Sequence, residues 1–226
     1  MGRWDSAPVD RPVMSDVAYE RLKEAIVRGE FEPGQKIRDA DIAARLGLSR
    51  TPVREAIARL TDAGLVEAKP GVHTRITSLN RDDVVATLAV LQVLDELAVS
   101  TAVPRLTKED LDFMSSATAR LAHAVQTGNI EEALAADDDF HGVPIRAAAN
   151  PVLARQIERL HPQLHRILYR KFSTLLGHRD TVGHHMALME FCAQGDAEAA
   201  AKLSAEHWAH LGGLIEELFE NDDLGT

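Results

Sequence analysis

Between Asp39 and Ala63 the chain carries two short helical patterns separated by Gly47, Leu48 and Ser49, and this spacing leaves few folds open. Asp39 to Leu46 reads as one helix, with Gly47 as its end. Ser49 suits the N-cap of a second helix that runs to Ala63. Two helices joined by a three- to four-residue turn containing Gly make a helix-turn-helix. Val53, Ala56, Ile57 and Leu60 recur at helical spacing, so the second helix has an apolar face to pack on the first. Arg50, Thr51 and Arg54 fall in its first turn and a half, the part of a recognition helix that meets base edges in the major groove. Arginine there reaches guanine O6/N7 or phosphate, and Thr51 a thymine methyl or phosphate. Arg45 and Lys69 are expected at phosphates. The expected partner is double-stranded DNA.

The flanks complete a domain over 15–78. Ser15 to Arg28 reads as a helix with Val17, Leu22, Ala25 and Ile26 inward, preceded by an arm at 1–14 expected to be flexible. Residues 64–68 and 73–77 carry β-branched side chains around Lys69-Pro70-Gly71, which predicts two strands and a turn. The result is a winged helix-turn-helix.

From Asn80 onward the pattern is helical throughout. Helices are expected near 81–101, 107–127, 130–149, 150–172, 178–194 and 196–220, with short connections that favour an antiparallel all-α bundle over 79–226. The fold class is therefore mainly α. The net charge of −10 looks unsuited to DNA, but its distribution matters. Residues 1–77 hold 13 Lys+Arg and 12 Asp+Glu, a net +1; residues 78–226 hold 12 and 23, a net −11. Binding must then depend on placed Arg and Lys side chains rather than on bulk attraction, and doubling them by dimerisation would help. A lone Cys192 excludes an intramolecular disulfide and fits a reducing cytoplasm. No uninterrupted run of 18 apolar residues argues for a membrane span, and the N-terminus has no apolar signal-peptide core.

A second constellation lies in the bundle. Asp137 and His141 are i and i+4 on one helix face. His185 stands ten residues before Gly195 and His207 twelve after it, so an antiparallel pair hinged at Gly195-Asp196 sets them side by side. Three imidazoles and a carboxylate form a ligand set for Zn(II), Ni(II), Co(II) or Mn(II). His178, His184 and His210 are rival ligands, and Asp138 or Asp139 rivals for Asp137. His161 and His165, interleaved with Arg159 and Arg166, form another i,i+4 pair that could line a pocket.

These residues resemble a known family. The head, with Pro33-Gly34-Gln35-Lys36-Ile37, Ile42 to Ile57, Leu60 and Gly64-Leu65-Val66, is similar to the GntR-family winged helix. The rest resembles the all-helical FCD effector domain of its FadR subfamily, on Asp137-x-x-Phe140-His141, Asn150-Pro151, His185, and Gly195-Asp196 followed by His207. The resemblance implies that Asp137, His141, His185 and His207 hold one divalent metal, Zn(II) being the first expectation and Ni(II) or Mn(II) the alternatives. It also implies a homodimer on a palindromic operator, and a small carboxylate effector at or near the metal. Arg146, Arg159, His165 and Arg166 are the candidate effector contacts. The family often carries Gly where His73 stands at the wing tip, so Gly71 and His73 are taken together as the wing's DNA contacts. Leu91 to Asp95 lacks an Arg common on the first effector helix. The expected function is a ligand-responsive transcription regulator, acting as a repressor and not as an enzyme. The competing readings are a metal-dependent hydrolase or isomerase, and a DNA binder with a purely structural metal.

Overall fold

The computed structural model describes residues 14–69, 71–170 and 180–221. Of the arm expected at 1–14, residues 1–13 lie outside them, as do Pro70 and His178, while Met14 already begins the first helix. The head consists of α1 (Met14–Val27), α2 (Asp39–Leu46), α3 (Arg50–Asp62) and a two-stranded antiparallel wing of β1 (Val66–Lys69) and β2 (His73–Ile76). Val66 pairs with Ile76 and Lys69 with His73, and Lys36 adds an isolated bridge to Arg75.

The turn between α2 and α3 forms for the reason its sequence suggests. Gly47 takes the left-handed conformation at φ 66° and its N–H closes back onto the end of α2, a cap that glycine makes without a Cβ penalty. Val53, Ala56, Ile57 and Leu60 are buried with Leu22, Ile26, Ile42 and Ile76 in one core. Two expectations fail in detail. Val17 is exposed, because Ser15, Ala18, Tyr19, Leu22 and Ile26 form the inward row of α1. Ser49 has the extended backbone of an N-cap, yet its side chain makes no capping bond.

The bundle contains α4 (Arg81–Ala102), α5 (Lys108–Thr127), α6 (Ile130–Ala147), α7 (Pro151–Arg170), α8 (Thr181–Gln194) and α9 (Ala197–Glu220). Asn80 caps α4 through the Asp83 N–H, and Thr107 with Asp110 forms a capping box on α5. Helix α6 ends at Ala147, and Ala149 turns the chain with φ 51° before Asn150-Pro151 starts α7. By length and composition α4 is apolar enough to match a membrane span, with mean hydropathy 1.6 over its most apolar 18 residues. Part of that apolarity serves packing, since Val84, Leu88 and Leu91 lie in the bundle core, whereas Val90, Val93 and Leu97 are exposed. Its buried Asp95 carboxylate accepts a hydrogen bond from the buried Ser204 hydroxyl of α9.

Helix α7 joins the two halves. Arg159 Nε donates to the Asp62 carbonyl at 2.7 Å, and Gln163 Nε2 to the Ala63 carbonyl at 3.1 Å. Both acceptors end the recognition helix, where unpaired carbonyls favour donors and positive charge. Gly64 permits the approach. Its φ is +72°, and a Cβ there would stand 2.2 Å from Gln163 Nε2. Gly64→Ala is expected to cost about 1–2 kcal/mol in backbone strain and to displace Gln163. Urea unfolding should show a lower midpoint, and an unchanged midpoint would exclude a close-packed seam.

Candidate DNA-reading surface and metal centre

The start of α3 presents its arginines to solvent but does not leave them idle. Arg50 Nη2 is 3.0 Å from both Asp39 carboxylate oxygens, and its Nε 3.3 Å from one. Arg54 Nε lies 3.9 Å from Asp39. The hydrogen bond from Arg50 holds the Asp39 carboxyl below its usual range. The Arg50 and Arg54 side chains are 65% and 74% exposed, and exposed ion pairs are weak enough to be exchanged for DNA. Asp39 thus orients the Arg50 guanidinium and lies beside that of Arg54, a role that its position at the start of α2 did not reveal in the sequence.

The other candidate DNA contacts are distributed around this helix. Thr51, Arg45 and Lys69 are exposed, and Arg45 also stands 6.0 Å from the Phe31 ring. Gly71 is exposed with φ +72° in the wing turn. His73 is half-buried, with Nε2 3.1 Å from the Glu67 carboxylate that also accepts from Arg75. The wing turn also presents an apolar side chain, Val72, 65% exposed, which sequence reasoning passed over.

In the bundle, Asp137, His141 and His185 converge. One ligand atom from each lies within 4.8 Å of the others. His185 Nε2 is 3.4 Å and His141 Nε2 4.0 Å from Asp137 Oδ1. The first separation is long for a charge-assisted bond, and the three atoms could contract onto a cation at about 2.0–2.2 Å. Phe140 fixes the His185 ring by stacking on it at 3.6 Å, and meets His141 edge-on. Burial opposes ionisation of Asp137, but His185, then His141 and His207, outweigh it, and the carboxyl titrates well below the ordinary range. His141 Nδ1 is buried without a hydrogen-bond partner among the described residues. A partly buried carboxylate, its Oδ1 shielded from solvent and ringed by imidazoles, fits a divalent cation.

His207 stands slightly apart. It lines the same cavity, with its ring 6.2 Å from that of His141 and stacked on His184 at 3.7 Å. His184 was weighed as a rival ligand; here it backs His207. A second group adjoins the first, with His165 Nε2 2.8 Å and His161 Nδ1 3.6 Å from Asp138 Oδ1. Burial opposes protonation of His165, but the bond to Asp138 prevails and raises its pKa. Burial, then His165, lowers that of His161 to about 4.

Of the four candidate effector contacts, His165 alone lines this cavity. Arg146 is exposed near Phe113, Arg159 holds the head, and Arg166 points to the seam, where its Nη1 donates to Thr77 Oγ1 at 3.3 Å. Helical phase explains the split, since Arg159 and Arg166 are seven residues apart on the face of α7 opposite His161 and His165. Trp208 was missed: it lines the cavity, and its buried Nε1 donor has no acceptor among the described residues.

Comparisons with known proteins agree with this architecture. Residues 14–76 match the model of bacterial regulatory proteins of the gntR family, and residues 86–210 that of the FCD domain. The probable D-xylose utilization operon transcriptional repressor of Paenarthrobacter nicotinovorans is 30% identical over 204 residues, covering 90% of this chain and 89% of that protein. The uncharacterized HTH-type transcriptional regulator YdhC of Bacillus subtilis is 26% identical, over 90% of this chain and 93% of its own length. The solved structure of E. coli McbR/YncC superposes with a TM-score of 0.79 at 21% identity, covering 92% of this chain and 99% of that one. Helix-turn-helix head, wing and helical bundle together place the chain in the GntR family of bacterial transcription regulators, with an FCD domain as its C-terminal part and no enzymatic role.

Proposed function

We propose that this regulator is a repressor whose operator affinity is set by a small carboxylate bound beside a divalent metal. The observation that carries the reading is the convergence of Asp137 and His141 from α6 with His185 from α8, at a small cavity that Asp137 and His141 line together with His207 of α9. These four residues would hold the ion, with Zn(II) the first choice and Ni(II) or Mn(II) the alternatives. The ion would supply a positive charge on which a carboxylate can settle. Trp208 Nε1 and His165 are the chain's own donors for that carboxylate.

The cavity holds about 20 Å³, room for one water or ion. A carboxylate must therefore move a wall. One wall is α7, through His161, Leu164, His165 and Leu168. The opposite face of the same helix grips the end of α3 through Arg159 and Gln163. Displacing α7 thus displaces a recognition helix.

The acting species is a homodimer on a palindromic operator in the cytoplasm. Val90, Val93 and Leu97 support this, since they form an exposed apolar row along α4 of the kind that marks association surfaces. A dimer reads two half-sites only when its recognition helices have the matching separation. The Paenarthrobacter relative's description as a repressor supports the direction of control.

The test is a titration of an operator selected from random DNA, with and without a panel of hydroxy acids, dicarboxylates and sugar acids. One of them should change affinity by about 5–150-fold, and His185→Ala should abolish the change while leaving ligand-free binding intact. An undiminished response in a verified metal-free His185→Ala protein would refute the coupling.

A further inference from the structure

A far larger cavity than the one at the histidines lies in the seam between head and bundle. It holds about 490 Å³ and is bounded by the link from Thr77 to Asn80, the first two turns of α4, and α7. That volume falls in the range of small-molecule sites. Its lining combines apolar residues such as Leu79 and Leu160 with the hydroxyls of Thr77 and Ser78 and the amide of Gln163.

Arg166 gives this cavity its chemistry. The residue is 1% exposed, the largest of the fully buried side chains. Among the described residues only Nη1 has a partner, the neutral hydroxyl of Thr77 at 3.3 Å. Nε and Nη2 are buried without an acceptor among the described residues. Burial, reinforced by nearby Arg170, lowers the guanidinium pKa to about 10, so the group stays charged at neutral pH. A buried charge is costly unless paired, and Asp83, the carboxylate on the cavity wall, is exposed, while Arg166 Nε and Nη2 have no acceptor among the described residues. An adjacent pair of N–H groups on a guanidinium, both lacking acceptors, matches the two oxygens of a carboxylate or phosphate.

We propose that this seam cavity is a second ligand site, independent of the metal centre, and that it takes a small hydroxylated anion whose carboxylate or phosphate pairs with Arg166 and whose hydroxyl groups meet Thr77, Ser78 and Gln163. An occupant would touch the head at Thr77 and Gly64 and the bundle at Arg166 and Gln163, and so would tie the two together.

Calorimetric titration of the full-length protein tests the site, with D-gluconate and inorganic phosphate as separate probes. At least one should bind saturably at one equivalent per chain; gluconate alone would identify a carboxylate site, and phosphate alone a phosphate site. Arg166→Gln should weaken binding about tenfold or more, since charge-assisted bidentate pairing is lost. Ala86→Phe, at an exposed position on the cavity wall, should block the space without touching Arg166 and so guards against a folding defect in the first variant. Binding should persist after chelation of metal and in His141→Ala. Two results would overturn the inference: no saturable binding of either probe to wild type, or binding that survives both Arg166→Gln and Ala86→Phe. Binding that survives both but vanishes on chelation would assign the anion to the metal centre, leaving the proposed function standing and this site refuted.

Discussion

Replacing Arg54 with Ala should weaken specific DNA binding by about 1–3 kcal/mol for each head engaged, so a two-headed complex should lose about 2–6 kcal/mol. Arg54 is the better reporter of the two helix arginines because it is the more exposed and is only loosely held by Asp39. Arg50 should lose a similar amount minus the pairing it must give up to Asp39, which makes its effect the smaller. Asp39→Asn separates the contributions. It keeps the size of the side chain while removing a negative charge beside the arginines, so nonspecific affinity should rise and specificity fall as Arg50 loses its fixed orientation. Anisotropy titrations on matched and scrambled DNA at two salt concentrations would read both. Undiminished affinity in Arg54→Ala would remove the start of α3 from the interface.

Adding Zn(II) to metal-stripped protein should raise the melting temperature by about 8–16 °C. A ligand at about a thousand times its Kd stabilises the native state by about 4.1 kcal/mol, and a domain of this size moves by about 2–4 °C per kcal/mol. The same addition should do little for His141→Ala, because the remaining residues leave an incomplete set around Asp137. His207→Ala tests the outermost residue: if His207 turns inward to complete the set, its loss should reduce both metal content and the thermal shift. DNA binding without effector should be retained in both variants. Wild-type protein that neither contains metal nor shifts with Zn(II), Ni(II) or Mn(II) would remove the ion from the scheme.

The head was legible because its signals are local. The apolar phase of Val53, Ala56, Ile57 and Leu60, and the break at Gly47, need no knowledge of distant residues. Val17 was misjudged because α1 is apolar on more than one side, and only the position of α3 decides which side is covered. In the bundle, the i,i+4 spacing of Asp137 and His141 gave one edge of the cluster, and the hinge at Gly195 brought His185 and His207 to the same carboxylate, Asp137. The stacking of His207 on His184 depends on ring rotation, which spacing does not encode. Arg159 and Arg166 looked like companions of His161 and His165, but their helical phase turns them to the seam. What meets that face is fixed by docking of the head, a long-range contact with no local signature. Asp39 was opaque for the same reason, since its partner Arg50 lies eleven residues away across the turn.

The two best-formed bonds of the seam, from Arg159 and Gln163, both end on main-chain carbonyls. Every amino acid supplies a carbonyl, so the bundle recognises that a helix ends there and not which residues compose it. A head rewritten for a different operator would still fit, provided its last turn stops at the same place and a glycine follows. The two halves can therefore diversify separately, the head in the DNA it reads and the bundle in the residues of its interior, without altering the joint between them.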